Sequence, residues 1–335
     1  MRVPDLIRTC VGFVGYEPVG GGPILLAGTA FFVARSLPGT GYSFKYIVTA
    51  KHVIDGIRDQ LINKVYLRFN FKDGYAHWLE TPIQSWAFHP DDSDVDVAVT
   101  ALPETEPLDF GMIPLTEFAT EERIARDGIG IGDEVVITGL FAHHFGQRKN
   151  IPIVRIGNIA AMPEERLEVK HFGLIEAYLI EARSIGGLSG SPVFAHLGIS
   201  RMIAGEVRFQ YGHPSMCLLG LMHGHYDLQP AGSSLSAERV NMGIGIVVPA
   251  TKILEVINQP RIKNVQDKVE KELRERLLPT ADTASENSEL TGLTQNEFEN
   301  ILRRVSEKVP EPESEKTPAA APQTAAHRLA LSPHG

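Results

Sequence analysis

Residues 186–193, Gly-Gly-Leu-Ser-Gly-Ser-Pro-Val, are the segment of the chain best suited to chemistry. Two glycines ahead of Ser189 allow a tight turn whose backbone N–H groups point to one spot, with the serine hydroxyl beside them. A serine that attacks an acyl group needs this arrangement, because the backbone N–H groups of the turn can form an oxyanion hole. Taken alone, a cluster of Gly, Ser and Pro is also typical of a plain turn.

Two other segments contain an imidazole and a carboxylate, the groups that activate a serine. His52 follows the β-type run of residues 46–50, and Asp96 comes directly before the apolar run of residues 97–99. A serine hydroxyl is a poor nucleophile until an imidazole takes its proton, and an aspartate then orients that imidazole. Taken alone, His52 could be a structural or exposed histidine at a strand end, and Asp96 could be an exposed carboxylate in a turn. Together with Ser189 they form an ordered His, Asp, Ser set with gaps of 44 and 93 residues.

The segments around these residues predict an all-β protein. Short runs rich in Val, Ile, Phe and Tyr alternate with turn residues, and hardly any helical pattern falls between them. A Pro-rich, acidic stretch near residues 103–118 predicts a connection between two β units. We therefore predict two six-stranded antiparallel barrels, the first over about 1–105 and the second over about 115–250, followed by a helix at 250–258.

The composition changes after residue 258. We predict a linker over 259–309 with two amphipathic helices, 265–278 and 294–309, and a disordered tail over 310–335. The second helix begins with the capping-box pattern of Thr294 and Glu297. The apolar stripe predicted for the first helix consists of Val265, Val269, Leu273 and Leu277.

Charge and composition exclude several functions. The chain of 335 residues has 32 basic and 41 acidic residues and a net charge of -9, without a dense basic run, so nucleic acid is not an expected partner. No long apolar run predicts a membrane span. Two cysteines are too few for a disulfide framework, and we expect a cytoplasmic protein. His143-His144 and the pair His223 and His225 lack the spacing of metal motifs, so we expect neither metal nor cofactor.

The three motifs together resemble the trypsin-like (chymotrypsin-fold) serine peptidases, and among them the HtrA and glutamyl-endopeptidase types. Those families use T-x-x-H-V, D-[IV]-A-V and G-G-x-S-G-S-P-V-F around their catalytic residues, and this chain matches over about residues 10–257. The resemblance implies that His52 is the general base, Asp96 its orienting carboxylate and Ser189 the nucleophile. It also implies an oxyanion hole formed by the N–H groups of Gly187 and Ser189. Asp94 is the alternative to Asp96.

Substrate recognition follows from the same resemblance. Arg183 matches the base of the primary pocket, where a cation favours an acidic substrate side chain, although it could also be a surface charge. The segment containing Met222, His223 and Gly224 resembles the edge strand that pairs with a substrate backbone. His223 could contribute to the pocket or simply be exposed. Leu188 replaces the aspartate that binds a new amino terminus in the digestive enzymes, so we expect activity without zymogen cleavage.

Two functions compete at this point. The first is a serine endopeptidase that forms an acyl-enzyme with a protein or peptide substrate. The second is a catalytically latent scaffold or sensor with the same fold, which acts by binding a protein partner. In either case a regulatory protein could bind through residues 264–309.

Overall fold

β-Strands form most of the structure, a computed structural model that describes residues 3–102, 108–169, 172–182, 187–209, 216–228 and 240–277. The strands of the first half are β1 (Val11–Tyr16), β2 (Leu25–Ser36), β3 (Ser43–Thr49), β4 (Lys64–Asn70), β5 (Ala76–Pro82), β6 (Ala87–Phe88), β7 (Ala98–Ala101) and β8 (Ile113–Pro114). Those of the second half are β9 (Glu134–Gly139), β10 (Ile153–Ala161), β11 (Leu167–Val169), β12 (Gly173–Ile175), β13 (Tyr178–Glu181), β14 (Pro192–His196), β15 (Ser200–Ile203), β16 (Glu206–Phe209), β17 (Met216–Leu228) and β18 (Val240–Pro249). The prediction of an all-β fold is confirmed.

The first eight strands form one sheet in the order β5-β4-β1-β2-β3-β7-β6, with β8 attached to β2. Neighbours on this path pair antiparallel, whereas β8 runs parallel to β2 and places Ile113 beside Val33. The sequence predicted six strands closed into a barrel here. Within the described residues the sheet instead ends at β5 and β6, since β6 is only two residues long and pairs with β7 alone.

The second half contains the predicted six-stranded barrel. It closes in the order β10-β13-β18-β17-β14-β9, and every described pair in it is antiparallel. Two small hairpins, β11-β12 and β15-β16, stand outside it. Alternating inward residues such as Val135, Ile137, Ile180 and Val247 are completely buried and fill the barrel. The hydrophobic alternation seen in the sequence therefore corresponds to the inner face of these strands.

Five α-helices accompany the strands in the described part of the chain: α1 (Asp5–Thr9), α2 (Lys51–Arg58), α3 (Glu121–Asp127), α4 (Ala250–Ile257) and α5 (Pro260–Leu277). Helix α4 lies where the terminal helix was predicted. No helix among the described residues has the length and apolar content that crossing a membrane requires.

Helix α5 occupies the segment predicted as the first amphipathic helix of the linker. Val269 and Leu273 are fully buried, and the buried Gln266 donates a hydrogen bond to the hydroxyl of Tyr46 and accepts one from Arg35. These two partners belong to β3 and β2, so α5 is attached to the first sheet. The predicted helix at 294–309 and the tail at 310–335 lie outside the described residues.

Candidate active site

His52 lies in the first turn of α2, directly after β3. Its backbone N–H donates to Oδ1 of Asp96 at 2.8 Å, and its Nδ1 lies 2.7 Å from Oδ2 of the same carboxylate. The first N–H groups of a helix have no partner within the helix, and the N-cap residue Ala50 has no side chain that could supply one. Asp96 therefore satisfies the helix end and contacts the imidazole at once, which fixes the ring relative to the backbone.

Asp96 comes from the irregular segment that leads into β7. Its side chain is only 2% exposed, whereas Asp94 points elsewhere and packs beside Gly173. The structure thus places Asp96, and not the alternative Asp94, against His52. The neighbouring charges are paired with each other, since Arg166 binds Asp92 at 3.1 Å and Lys252 binds Glu176 at 3.1 Å.

The carboxylate and the imidazole shift each other's pKa. Burial alone would raise the pKa of Asp96, but the charge of His52 and hydrogen bonds from His223 and His52 hold it well below its usual range. Burial alone would lower the pKa of His52, but the charge and hydrogen bond of Asp96 outweigh it and raise that pKa above 6.5. Asp96 is therefore ionised at neutral pH and acts on the imidazole as a fixed negative charge.

A second histidine binds the same carboxylate. Nδ1 of His223, on β17, lies 2.5 Å from Oδ2 of Asp96, and its side chain is 5% exposed. The expectation that His223 is exposed was therefore wrong. The ring of Phe172 meets the ring of His223 edge to face at a centroid distance of 4.4 Å and that of His52 at 5.7 Å. Nothing local in the sequence indicated this contact, because 127 residues separate His223 from Asp96.

Ser189 lies in the turn that leads into β14. Its Oγ donates to the backbone carbonyl of His223 at 3.3 Å, and within the described residues no hydrogen bond joins it to His52. Gly190 has a φ of 81°, and a Cβ there would lie 2.3 Å from the carbonyl oxygen of Thr29, so only glycine fits this position. The serine is thus connected to the histidine–aspartate group through His223.

The backbone N–H groups of the turn around Ser189 differ in their hydrogen-bond partners. Neither Gly187 nor Ser189 has an acceptor for its N–H within the described residues, whereas Gly190 donates to the carbonyl of Met222 and Ser191 to that of Leu188, at 2.8 and 2.9 Å. Leu188 is 1% exposed and belongs to the barrel core. Apolar packing of this leucine therefore anchors the turn at the position where the digestive enzymes have an aspartate.

Thr29 ties the same turn to both halves of the protein. Its hydroxyl donates to the carbonyl of Gly187 at 2.8 Å and accepts the N–H of Leu140 at 2.9 Å, while its own N–H donates to the carbonyl of Ser189 at 2.9 Å. Thr29 is fully buried on β2. Local sequence did not predict this role, because it depends on contacts between residues more than 100 positions apart.

The predicted substrate-binding residues other than His223 lie in different surroundings. Arg183 lies outside the described residues. Met222 is fully buried in the barrel core, with its N–H and carbonyl bonded to Ser191 and Gly190. Gly224 is half-buried and lies beyond the last pair of β17 with β14, so among the described strands only β18 pairs with this stretch of β17.

Metal coordination does not account for the cluster. Nδ1 of His52, Oδ2 of Asp96 and Nδ1 of His223 lie within 4.8 Å of one another, and no other such group occurs among the described residues. Two ligands of a tetrahedral zinc ion, each about 2.1 Å from the metal, would stand roughly 3.4 Å apart. The separations of 2.7 and 2.5 Å from Oδ2 are those of hydrogen bonds.

Comparison with known proteins gave matches among solved structures only. No protein-family model matches the sequence, and no curated protein matches it. The MamO protease domain from Magnetospirillum magneticum matches with 15% identity over 74% of this chain and 96% of its own, at a TM-score of 0.43. The HtrA-type protease AlgW with decapeptide matches with 16% identity over 81% and 66% at 0.43, and the drosophila Grass clip serine protease with 14% identity over 77% and 72% at 0.44.

Proposed function

We propose that the protein is a serine endopeptidase, in which His52, Asp96 and Ser189 form a catalytic triad. The observation that carries the proposal is the buried carboxylate of Asp96, held at 2.8 Å from the backbone N–H and 2.7 Å from Nδ1 of His52. An ionised carboxylate only accepts hydrogen bonds, so Nδ1 of His52 carries the proton and Nε2 keeps the lone pair that a general base needs.

The proposed reaction begins with rotation of the Ser189 side chain from the carbonyl of His223 to Nε2 of His52. The hydroxyl oxygen then attacks the substrate carbonyl carbon while its proton passes to Nε2. The resulting oxyanion accepts hydrogen bonds from the N–H groups of Gly187 and Ser189. Nε2 returns the proton to the leaving amine as the C–N bond breaks. Water deacylates the serine by the same steps, and the carboxylate of Asp96 stabilises the imidazolium throughout.

Covalent labelling with a fluorophosphonate tests this proposal. The wild-type protein should gain one label on Ser189, and Ser189→Ala should gain none. Ser191→Ala is the matched control, because the hydroxyl of Ser191 lies two residues away, is buried and has no hydrogen-bond partner in the described structure. Equal labelling of wild type and Ser189→Ala would exclude Ser189 as the nucleophile.

The second candidate function is a latent scaffold that acts by binding a protein. The hydrogen bond of Ser189 to the carbonyl of His223, in place of one to His52, favours it. A folded wild-type protein that never reacts with the fluorophosphonate, yet binds a protein partner, would support this function over the first.

Regulation through residues 264–309 stays a proposal in either case. Because Val269 and Leu273 are buried, only the outer face of α5 is open to a partner among the described residues of this segment. A chain without residues 278–335 retains Val269 and Leu273, so an unchanged labelling rate and unchanged partner binding in that truncated chain would exclude regulation by the segment it lacks. The cytoplasmic location also stays a prediction.

A further inference from the structure

His223 contacts each of the three proposed triad residues with a different part of itself. Its Nδ1 lies 2.5 Å from Oδ2 of Asp96, and its backbone carbonyl accepts the hydroxyl of Ser189 at 3.3 Å. Its ring meets that of His52 at a centroid distance of 5.3 Å and an angle of 71°. At 5% exposure this side chain is nearly inaccessible to a substrate or to solvent.

The chemistry of the carboxylate fixes the tautomer of His223. Asp96 accepts three hydrogen bonds, one at Oδ1 from the backbone of His52 and two at Oδ2 from the two imidazoles. Because an ionised carboxylate has no proton to give, His223 must donate from Nδ1 just as His52 does. Two N–H donors on one oxygen restrict the rotation of the carboxylate more than one donor can.

The ring of His223 is itself held in place. Phe172, which precedes β12, packs edge to face on it at 4.4 Å with an interplanar angle of 88°. The backbone of β17 is fixed on both sides of the residue, since the N–H of Met222 donates to Ser191 and Gly224 pairs with Ile246. A donor on such a rigid support can orient the carboxylate without moving with it.

We propose that His223 is a positioning residue of the active site, which orients Asp96 by a charge-assisted hydrogen bond from Nδ1 and so keeps the imidazole of His52 aligned for proton transfer. This rests on the proposed serine endopeptidase function. It differs from a substrate-binding role, because the side chain points into the protein at Asp96.

Three substitutions separate this role from a packing role. His223→Leu fills the space but has no donor, whereas His223→Asn retains an N–H donor at the δ position. Because a hydrogen bond to a charged group is lost, the labelling rate of His223→Leu should fall about tenfold to 150-fold. His223→Asn should recover most of that rate, and His223→Ala serves as a smaller donor-free reference if His223→Leu does not fold.

Proton NMR gives a readout that does not depend on activity. Two low-field imidazole N–H resonances are expected in the wild-type protein, of which His52→Ala removes one and His223→Leu the other. A single resonance that His223→Leu leaves unchanged would overturn the proposal, as would equal labelling rates of His223→Leu and wild type. A wild-type protein that shows both resonances but never reacts with the fluorophosphonate would refute the endopeptidase function. The role of His223 in proton transfer would then be refuted too, whereas its hydrogen bond to Asp96 would be confirmed.

Discussion

Replacing Thr29 with valine should destabilise the protein and slow the reaction of Ser189 together. Valine keeps the shape of threonine but lacks the hydroxyl that donates to the carbonyl of Gly187 and accepts the N–H of Leu140. The N–H of Leu140 would remain buried without this partner, and the carbonyl of Gly187 would lose its partner at a part-buried position. A buried polar group left unpaired costs about 1–3 kcal/mol, so the loss at Leu140 alone should lower the free energy of unfolding by about 1–3 kcal/mol.

The effect on reactivity follows from where Gly187 lies. Its carbonyl is fixed by the hydroxyl of Thr29, and its N–H is one of the two proposed oxyanion donors. Once the carbonyl is released, the turn that contains Ser189 loses a constraint on the direction of these N–H groups, and fluorophosphonate labelling should be slower than in wild type.

Urea denaturation and labelling kinetics measure the two effects. Thr29→Ser is the matched control, since it retains the hydroxyl and both hydrogen bonds and loses only a methyl group, at a cost of about 1 kcal/mol. If Thr29→Val is as stable as Thr29→Ser and reacts as fast, the hydroxyl does not hold the turn and the reasoning is refuted.

Three further predictions follow from burial and pKa. Because the pKa of His52 is raised above 6.5 and the base must be neutral, the labelling rate should reach half its plateau at a pH above 6.5 and fall on acidification; a midpoint below 6.5 would contradict the direction of the shift. Burial raises the pKa of Cys217 to about 12 and that of Cys10 further, so neither thiol should react with Ellman's reagent until denaturant is added. Leu273→Ala should cost about 2–5 kcal/mol in urea denaturation because Leu273 is fully buried, and a cost below 0.5 kcal/mol would show that α5 is not packed in solution.

Local sequence patterns predicted the two strands that lie next to His52 and Asp96. The apolar run before His52 and the one after Asp96 became β3 and β7, which pair antiparallel through Thr49 and Ala98. This pairing brings the residues next to each strand end together, and the structure places Asp96 rather than Asp94 against the imidazole. The hydrogen bonds of Thr29 to the turn around Ser189 and of His223 to Asp96 could not be predicted, because they join residues more than 100 positions apart.

The buried face of helix α5 was predicted in part, since Val269 and Leu273 are buried as expected and Val265 is exposed. The predicted stripe placed Val265, Val269, Leu273 and Leu277 four residues apart, which drifts by about 40° around a helix of 3.6 residues per turn at each step. The buried residues are Gln266, Val269 and Leu273, at steps of three and four, while Val265 is 36% exposed. The polar Gln266 was missed because its partners, Tyr46 and Arg35, lie on distant strands.

The hydrogen bond between Ser189 and the carbonyl of His223 makes the serine a competitor of any ligand that pairs with β17. Among the described strands only β18 pairs with β17 beyond Leu221, and an extended peptide that paired with the other edge would bond to backbone carbonyls including that of His223. Breaking the existing bond costs about 0.5–1.5 kcal/mol, which weakens such a ligand about twofold to tenfold. The displaced hydroxyl is then free to turn towards His52. Occupancy of the strand edge and availability of the proposed nucleophile are therefore linked, and a ligand without a backbone N–H at this place leaves Ser189 bonded to the carbonyl of His223.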